Sequence, residues 1–293
     1  MKKGLVEVNA PLAGLTTFGI GGPADRLVFP ATAEEAGRWI RSGEVSLILG
    51  GGSNTLVSDA GVRGTALCLA GVLAEVEFLQ GPGGQMVIEA QAGVSFTKLA
   101  VAACRQSLSG LEFAHGIPGT VGGAIVMNAG TRDGEVKDVL LSATVVTREG
   151  ETITLGSDDM GFAYRSSALP KDALILSCRF VAREGDRARI KERMRQSQLA
   201  RKASQPLDIP SAGSVFKNPP GDYAGRLIEA AGLKGTRIGG ARVSEKHANF
   251  IVNEGGATAR DVRALMKLAQ DRVYEMSGVK LAPEIKLVGE FDE

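Results

Sequence analysis

The stretch Gly116-Ile117-Pro118-Gly119-Thr120-Val121-Gly122-Gly123-Ala124-Ile125-Val126-Met127-Asn128-Ala129-Gly130 holds five glycines and a proline in fifteen positions and carries no charge. Glycine is required where φ is positive or where a neighbouring group leaves no room for a Cβ. Mixed with β-branched apolar residues, such a run predicts backbone folded tightly against a large, flat, partly apolar ligand. A second run, Gly50-Gly51-Gly52-Ser53-Asn54, follows Ser46-Leu47-Ile48-Leu49, which reads as a short buried strand. Either run alone could be an ordinary turn. Together they point to a dinucleotide cofactor with a pyrophosphate to hold. Leu56-Val57 and Ala66-Leu67-Cys68-Leu69 continue as strands, around turns expected at Gly61 and Gly64. Strand-loop-strand is not the strand-loop-helix setting of the Rossmann fingerprint, so that fold is disfavoured.

Working outward, the 293 residues can bury a large core and suffice for two or three domains. Glycine accounts for 39 of them, well above the usual ~7%, and follows no collagen-like period. A formal net charge of +1 provides no whole-molecule field for gripping nucleic acid. Cys68, Cys104 and Cys178 lie far apart among apolar residues, which predicts buried reduced thiols in a cytoplasmic protein. Two histidines, His115 and His247, are too few for a His-rich metal site, and no metal is expected. Met1-Lys2-Lys3 mimics the start of a signal peptide, but Glu7 and Asn9 interrupt the apolar stretch that should follow. No run approaches the ~20 apolar residues of a membrane span.

Thr32-Ala33-Glu34-Glu35 reads as a capping box opening a helix through Trp39 and Ile40. After the strong turn at 80–84 come a strand over 86–90, a helix over 96–106 capped by Ser95, and the glycine-rich segment. Residues 143–147 and 152–155 form a hairpin, and 174–181 a further strand. The basic stretch 186–204 has both signs of charge and no aromatics, so it reads as a solvated connecting helix ending before Pro206. A helix begins at Thr258 with Asp261 in the capping-box position. Its apolar stripe is Val262, Leu265, Met266, Ala269, Val273 and Met276, and Gly278 stops it. Residues 281–288 read as a terminal strand.

Three segments have the makings of chemistry. In Gly161-Phe162-Ala163-Tyr164-Arg165-Ser166-Ser167, an arginine between a tyrosine and two hydroxyls suits a bidentate grip on carboxylate or phosphate, although an arginine in a surface turn would look the same. In Ser211-Ala212-Gly213-Ser214-Val215-Phe216-Lys217-Asn218-Pro219-Pro220, Ser214 offers a proton, and Lys217 and Asn218 offer donors. A turn explains the small residues but not Phe-Lys-Asn. In Ala282-Pro283-Glu284-Ile285, a carboxylate at the start of an apolar strand is either a partly desolvated acid or a rim charge. Ser244-Glu245-Lys246-His247-Ala248-Asn249-Phe250 adds a cluster in which His247 could donate to a ligand or simply satisfy a backbone carbonyl. His115 is expected to pack at the cofactor edge.

Taken in order, GGGSN, GIPGTVGGAIVMNAG, GFAYRSS, SAGSVFKNP, SEKHANFIVN and LAPEI resemble the UDP-N-acetylenolpyruvoylglucosamine reductase family, flavoenzymes of bacterial peptidoglycan precursor synthesis. The match runs from Thr16-Thr17-Phe18 to Glu284. The resemblance implies an α+β protein: a vanillyl-alcohol-oxidase-type FAD-binding fold of two α+β subdomains, residues 1–80 and 81–205, and a C-terminal α+β substrate-binding domain, residues 206–293. It implies non-covalent FAD held by Gly50, Gly51, Gly52, Ser53, Asn54, Gly116, Ile117, Pro118, Gly119, Gly122, Gly123, Asn128 and Gly130. It further implies NADPH as hydride donor and UDP-N-acetylglucosamine enolpyruvate as substrate, contacted by Tyr164, Lys202, Lys217, Asn218 and His247. Arg165, Ser214 and Glu284 become the catalytic set: carboxylate grip, proton donor to the α-carbon, and hydrogen-bond partner of the enolate. No nucleic-acid partner and no membrane span are expected, and the protein should be a cytoplasmic monomer.

The pattern has departures. Gly19 stands where the family usually has Arg or Lys, and Thr131-Arg132 where it has an Ala-aromatic pair. Only 49 positions (214 − 165) separate Arg165 from Ser214, which resembles the shorter version of the family that lacks a Tyr-bearing loop. Two other readings are an FAD-dependent oxidase of another alcohol or sugar, and a non-catalytic flavin- or UDP-sugar-binding module. An oxidase has no need of a serine acid, and a binding module leaves three polar motifs without a task.

Overall fold

A computed structural model describes residues 3–170 and 172–291; Met1 and Lys2 of the leader-like start lie outside the described residues. Strands β1 (Leu5–Pro11) and β2 (Pro23–Phe29) precede helix α1 (Ala33–Arg41). Thr32 caps this helix by accepting from the Glu35 amide, while Glu35 reaches back to the Ala31 amide at 2.7 Å. The expected box is therefore closed one residue further out. Strand β3 (Val45–Leu49) delivers the first glycine run, and β4 (Thr55–Val57) follows it, as the order of apolar segments required. Gly64, expected in a turn, lies within β5 (Val62–Cys68), where its amide donates to Asp25 at 2.9 Å. A carboxylate in place of a strand partner lets the glycine remain in the strand.

Then come β6 (Val76–Gln80), β7 (Met86–Gln91), α2 (Phe96–Arg105, capped by Ser95), β8 (Leu108–Ser109) and α3 (Val121–Val126). Helix α3 was not legible in the sequence. It lies inside the glycine-rich run, where Thr120 supplies an N-cap and tertiary packing overrides glycine's poor helix propensity. Strands β9 (Gly130–Thr131), β10 (Gly134–Glu135), β11 (Leu140–Val146), β12 (Thr152–Gly156) and β13 (Leu174–Glu184) lead to α4 (Arg187–Ser204). Helix α4 buries only Ile190, Met194 and Ser197, as a solvated helix should. Helix α5 (Ala224–Ala230), strands β14 (Arg237–Ile238), β15 (Ala241–Val243) and β16 (Ile251–Asn253), helix α6 (Ala259–Ser277) and strand β17 (Lys286–Val288) complete the chain.

The described chain gathers into two compact units. Unit 1 takes the described residues of Met1–Glu7, Leu27–Gly51 and Thr65–Ala200. Its frame is an antiparallel sheet in the order β12-β11-β13-β7-β6, with β8 also on β13. Strand β7 shows the period of two: Ile88 and Ala90 are buried, while Glu89 between them pairs outward with Arg179 at 2.8 Å. Phe96 packs edge-on to Phe113 (5.9 Å between ring centroids) and against Phe180 (6.5 Å), joining α2 to the sheet. All three cysteines are buried and none is in a disulfide, and burial pushes the Cys178 thiol well above its ordinary range.

Unit 2 takes Val8–Arg26, Gly52–Gly64 and the described residues of Arg201–Glu293. Its core joins Phe216, Leu227, Ile228 and Val243 to the α6 stripe of Val262, Leu265, Met266, Ala269 and Val273. Met276, expected in that stripe, is 48% exposed, because the last turn of α6 extends past the packed layer. Thr258 and Asp261 close a capping box at the start of α6, and Asp59 accepts from the Ala259 and Arg260 amides at 2.8 and 3.0 Å. Gly278 ends the helix at φ +70°. The expected strand over 281–288 shrinks to β17, parallel to β4, plus a bridge from Pro283 to Phe216. Proline has no amide to give a longer ladder. Among the described residues no helix is long and apolar enough to cross a membrane.

Candidate active site

In unit 1 the two glycine runs meet. A Cβ on Gly50 would lie 2.5 Å from Thr120 Oγ1, and one on Gly51 would lie 2.6 Å from the Gly119 Cα. The second run is lodged from below. The Val121 and Gly122 amides donate to the Val94 and Ala92 carbonyls at 2.8 and 2.9 Å. Thr97 on α2 accepts from the Gly116 amide (3.2 Å) and donates to the Ile117 carbonyl (3.0 Å). Pro118 and Gly123 are exposed, and Ile117 is half-buried. Bare main chain from two loops, one capped by a helix, is what a pyrophosphate needs, so these residues fit the cofactor that the spacing suggested.

The far end of the same run carries the arginine turn. Ala163 and Ser166 exchange both backbone hydrogen bonds (3.1 and 3.2 Å), leaving Tyr164 and Arg165 at the corners of a two-residue hairpin. Arg165 takes φ +55°, and its guanidinium lies 5.3 Å from the centroid of the half-exposed Tyr164 ring. The turn is tied to the glycine run twice. Ser167 Oγ donates to the Val126 carbonyl at 2.9 Å, and the fully buried Asn128 donates from Nδ2 to the Ala163 carbonyl at 3.3 Å. Asn128 also donates to Glu135 (3.0 Å) and accepts from the Lys137 amide (3.0 Å). Gly130 has the Glu135 Cβ against it, which lets β9 and β10 close up here. Of the family departures, Arg132 is an exposed side chain paired with Asp133 at 3.5 Å.

Unit 2 brings Ser214 and Glu284 onto adjoining stretches of chain. The Val215 amide donates to the Asn249 carbonyl and the Glu284 amide to the Val215 carbonyl, both at 2.8 Å. The Lys217 amide donates to the Ala282 carbonyl at 2.9 Å. Val215, Phe216 and Ile285 are buried, whereas Ser214, Lys217 and Glu284 are half-buried, so apolar neighbours anchor each functional residue. Asn54, at the end of the first glycine run, donates from Nδ2 to the Glu284 carbonyl at 3.1 Å and accepts from the Lys286 amide at 2.9 Å.

Asn218 Oδ1 accepts from the Ala224 amide at the start of α5 (3.1 Å). His247 packs on Phe250, with ring centroids 4.9 Å apart, and its Nδ1 accepts from the Asn249 amide at 3.2 Å. Its backbone partner is thus a donor rather than the carbonyl considered from sequence, which leaves Nε2 to carry the proton. Lys202 is exposed, and its carbonyl accepts from Lys246 Nζ. Burial is the main cause holding His247 below its ordinary value of 6.5, with Lys234 acting in the same direction. The unfolded chain therefore binds this proton more readily, and stability falls as pH drops below about 6.5. In urea titrations between pH 7 and 5.5, His247→Gln should flatten that slope. An unchanged slope would place the pH dependence elsewhere.

Sequence reasoning passed over Asn249. It is buried, accepts from the Phe216 amide at 3.0 Å and returns a hydrogen bond to the Phe216 carbonyl at 2.8 Å, acting as a strand partner for the serine segment. Its place in the polar 244–250 cluster was the available signal. His115 is half-buried beside the glycine run, and its Nδ1 has no hydrogen-bond partner among the described residues.

Comparison with known proteins accounts for both parts of the chain. Residues 24–156 match an FAD binding domain, and residues 205–288 match the UDP-N-acetylenolpyruvoylglucosamine reductase C-terminal domain. The UDP-N-acetylenolpyruvoylglucosamine reductase of Anaeromyxobacter sp. is 47% identical, over 99% of this chain and 90% of its own length. Reductase 2 of Symbiobacterium thermophilum is 49% identical over 98% and 93%. The crystal structure of the Thermus caldophilus reductase superposes with a TM-score of 0.83 at 38% identity, covering 97% of this chain and 98% of that one. The α+β class and the FAD-binding part implied by the family resemblance both hold. The chain belongs to the UDP-N-acetylenolpyruvoylglucosamine reductase family of FAD-binding oxidoreductases.

Proposed function

We propose that this protein is an NADPH-dependent flavoenzyme that reduces UDP-N-acetylglucosamine enolpyruvate to UDP-N-acetylmuramate in peptidoglycan precursor synthesis. The observation that carries the reading is the pairing of the Ser214 segment with the Glu284 segment through Val215. It gives a hydroxyl and a carboxylate on adjoining chain, the two groups an enolate intermediate would need. The residues of the two glycine runs would hold non-covalent FAD, which when bound would supply the hydride chemistry between NADPH and the enolpyruvyl β-carbon.

The chain supplies the rest. Negative charge builds on the α-carbon and carboxylate as the β-carbon gains hydride. Arg165, stiffened by Tyr164 and its hairpin, grips the carboxylate. Glu284 hydrogen-bonds the enolate oxygen in its protonated form, and Ser214 protonates the α-carbon. A serine hydroxyl is a weak acid in water, so it needs a positive neighbour; Lys217, three residues on, is our candidate. Lys202, Lys217, Asn218, His247 and Tyr164 are assigned to the UDP-sugar. The glycines of both runs, with Ser53, Asn54, Ile117, Pro118 and Asn128, are assigned to FAD. Residues 1–80 and 81–205 form the cofactor-binding part and 206–293 the substrate-binding part, a division supported by the extents of the two family models. The enzyme works as a cytoplasmic monomer.

The test is an anaerobic titration. The purified protein is yellow, NADPH bleaches it, and UDP-N-acetylglucosamine enolpyruvate restores the colour. Bleached protein that ignores this substrate and recovers only in air would favour an oxidase. Protein that binds flavin but is not bleached by NADPH would favour a non-catalytic binding module.

A further inference from the structure

Each glycine run carries an asparagine at or near its end, Asn54 in GGGSN and Asn128 in VMNAG. Asparagine in a cofactor loop is ordinarily read as a ligand of the cofactor. Here both side-chain amides also reach main chain that bears a substrate-side residue. Asn54 Nδ2 donates to the main-chain carbonyl of Glu284 itself, and Asn128 Nδ2 to the carbonyl of Ala163, which opens the hairpin bearing Arg165. Asn128 is fully buried, and its amide group already makes three hydrogen bonds, to Glu135, Ala163 and the Lys137 amide. Its φ of +40° is one that asparagine tolerates better than most residues. Asn54 is held on the same stretch a second time, through its carbonyl to the Lys286 amide.

We infer that Asn54 and Asn128 are positioning residues for the reductive half of the reaction: each fixes the main chain of a substrate-side catalytic residue to a cofactor loop. The inference rests on the roles proposed above for Arg165 and Glu284. Its physical basis is that a carboxylate grip and an enolate partner act only within a few tenths of an ångström of the reacting group. Misplacement by about 1 Å costs on the order of a hundredfold in rate. A hydrogen bond to a main-chain carbonyl moves the backbone, and hence the whole catalytic side chain. Anchoring each segment to a loop that holds the flavin sets it in the frame of the hydride donor.

Three variants test this in the full-length holoenzyme. Asn128→Asp keeps size and tolerance of positive φ but loses the donor and faces Glu135 with a second carboxylate. Asn54→Ala removes the amide. Ser167→Ala cuts the other tie to the arginine hairpin and guards against a folding failure of Asn128→Asp. With FAD at concentrations that saturate each variant, bleaching by NADPH should slow far less than reoxidation by the enolpyruvyl substrate. Reoxidation by the enolpyruvyl substrate should slow by about tenfold to a hundredfold. Amide exchange at Ala163 and Ser166 should accelerate in Asn128→Asp and Ser167→Ala, a readout independent of turnover. Adding Asn128→Asp to Arg165→Lys, or Asn54→Ala to Glu284→Gln, should cost little more than the catalytic substitution alone.

Equal slowing of both half-reactions, loss of FAD affinity without the split, or additive double variants would overturn the inference. Unaltered protein that never passes electrons to the enolpyruvyl substrate would instead overturn the proposed function, so the two failures are distinguishable.

Discussion

Replacing Ser214 by alanine should leave bleaching of the flavin by NADPH at its normal rate and slow recovery of colour with the enolpyruvyl substrate by about 10²- to 10⁴-fold. The split follows from the chemistry. Accepting hydride from a nicotinamide requires no proton at the substrate α-carbon, whereas completing the reduction does. The variant should fold normally. Ser214 is half-buried and its segment is held by Val215, Phe216 and Asn249, none of which depends on the hydroxyl. Anaerobic stopped-flow absorbance separates the two steps. If both slow equally, Ser214 supports the site without donating the proton. If neither slows, another acid does the work.

The second large effect is on the cofactor. Gly51→Ala should lower FAD affinity by about tenfold to a hundredfold, the scale expected when overpacking costs ~1–3 kcal/mol. The added methyl would lie 2.6 Å from the Gly119 Cα, and main chain cannot swing aside as a flexible side chain can. The two loops must part, which spoils the bare-backbone cradle. Equilibrium titration of apoprotein with FAD, followed by flavin fluorescence, measures this directly. Gly71→Ala is a control for the added methyl, because a Cβ there meets nothing within 4 Å, although its φ of +73° adds local strain. An affinity loss no larger than the control's would show that the contact of the two runs does not shape the cofactor site.

Much of the site was legible because it is written in local chemistry. The glycine runs declare close backbone approach, and the strands on either side of GGGSN suffice to set aside the Rossmann fold. Capping residues Thr32, Ser95 and Thr258 mark helix starts because a side-chain oxygen satisfies an orphan amide wherever it occurs. Less was legible where pairing is non-local. Helix α3 is hidden because glycine is a poor helix former, and non-local packing on β13 and β7 holds it. The terminal strand was overextended because nothing local shows that Phe216 takes Pro283 as its partner.

The sequence by itself determined that this chain has two glycine loops able to hold a pyrophosphate. It also determined an arginine between a tyrosine and two hydroxyls, a serine-lysine segment and a proline-flanked carboxylate, in an order characteristic of one family. Those features are matters of residue type and spacing, which survive without coordinates. Only the tertiary structure decided that Gly51 lies on Gly119, that Ser214 and Glu284 share Val215 as a common neighbour, and that Asn54 and Asn128 hold the main chain at Glu284 and Ala163. The physical reason is that each of these contacts joins segments distant in the chain. Which segments meet is set by burial of the apolar residues around them, and no local pattern encodes the partner.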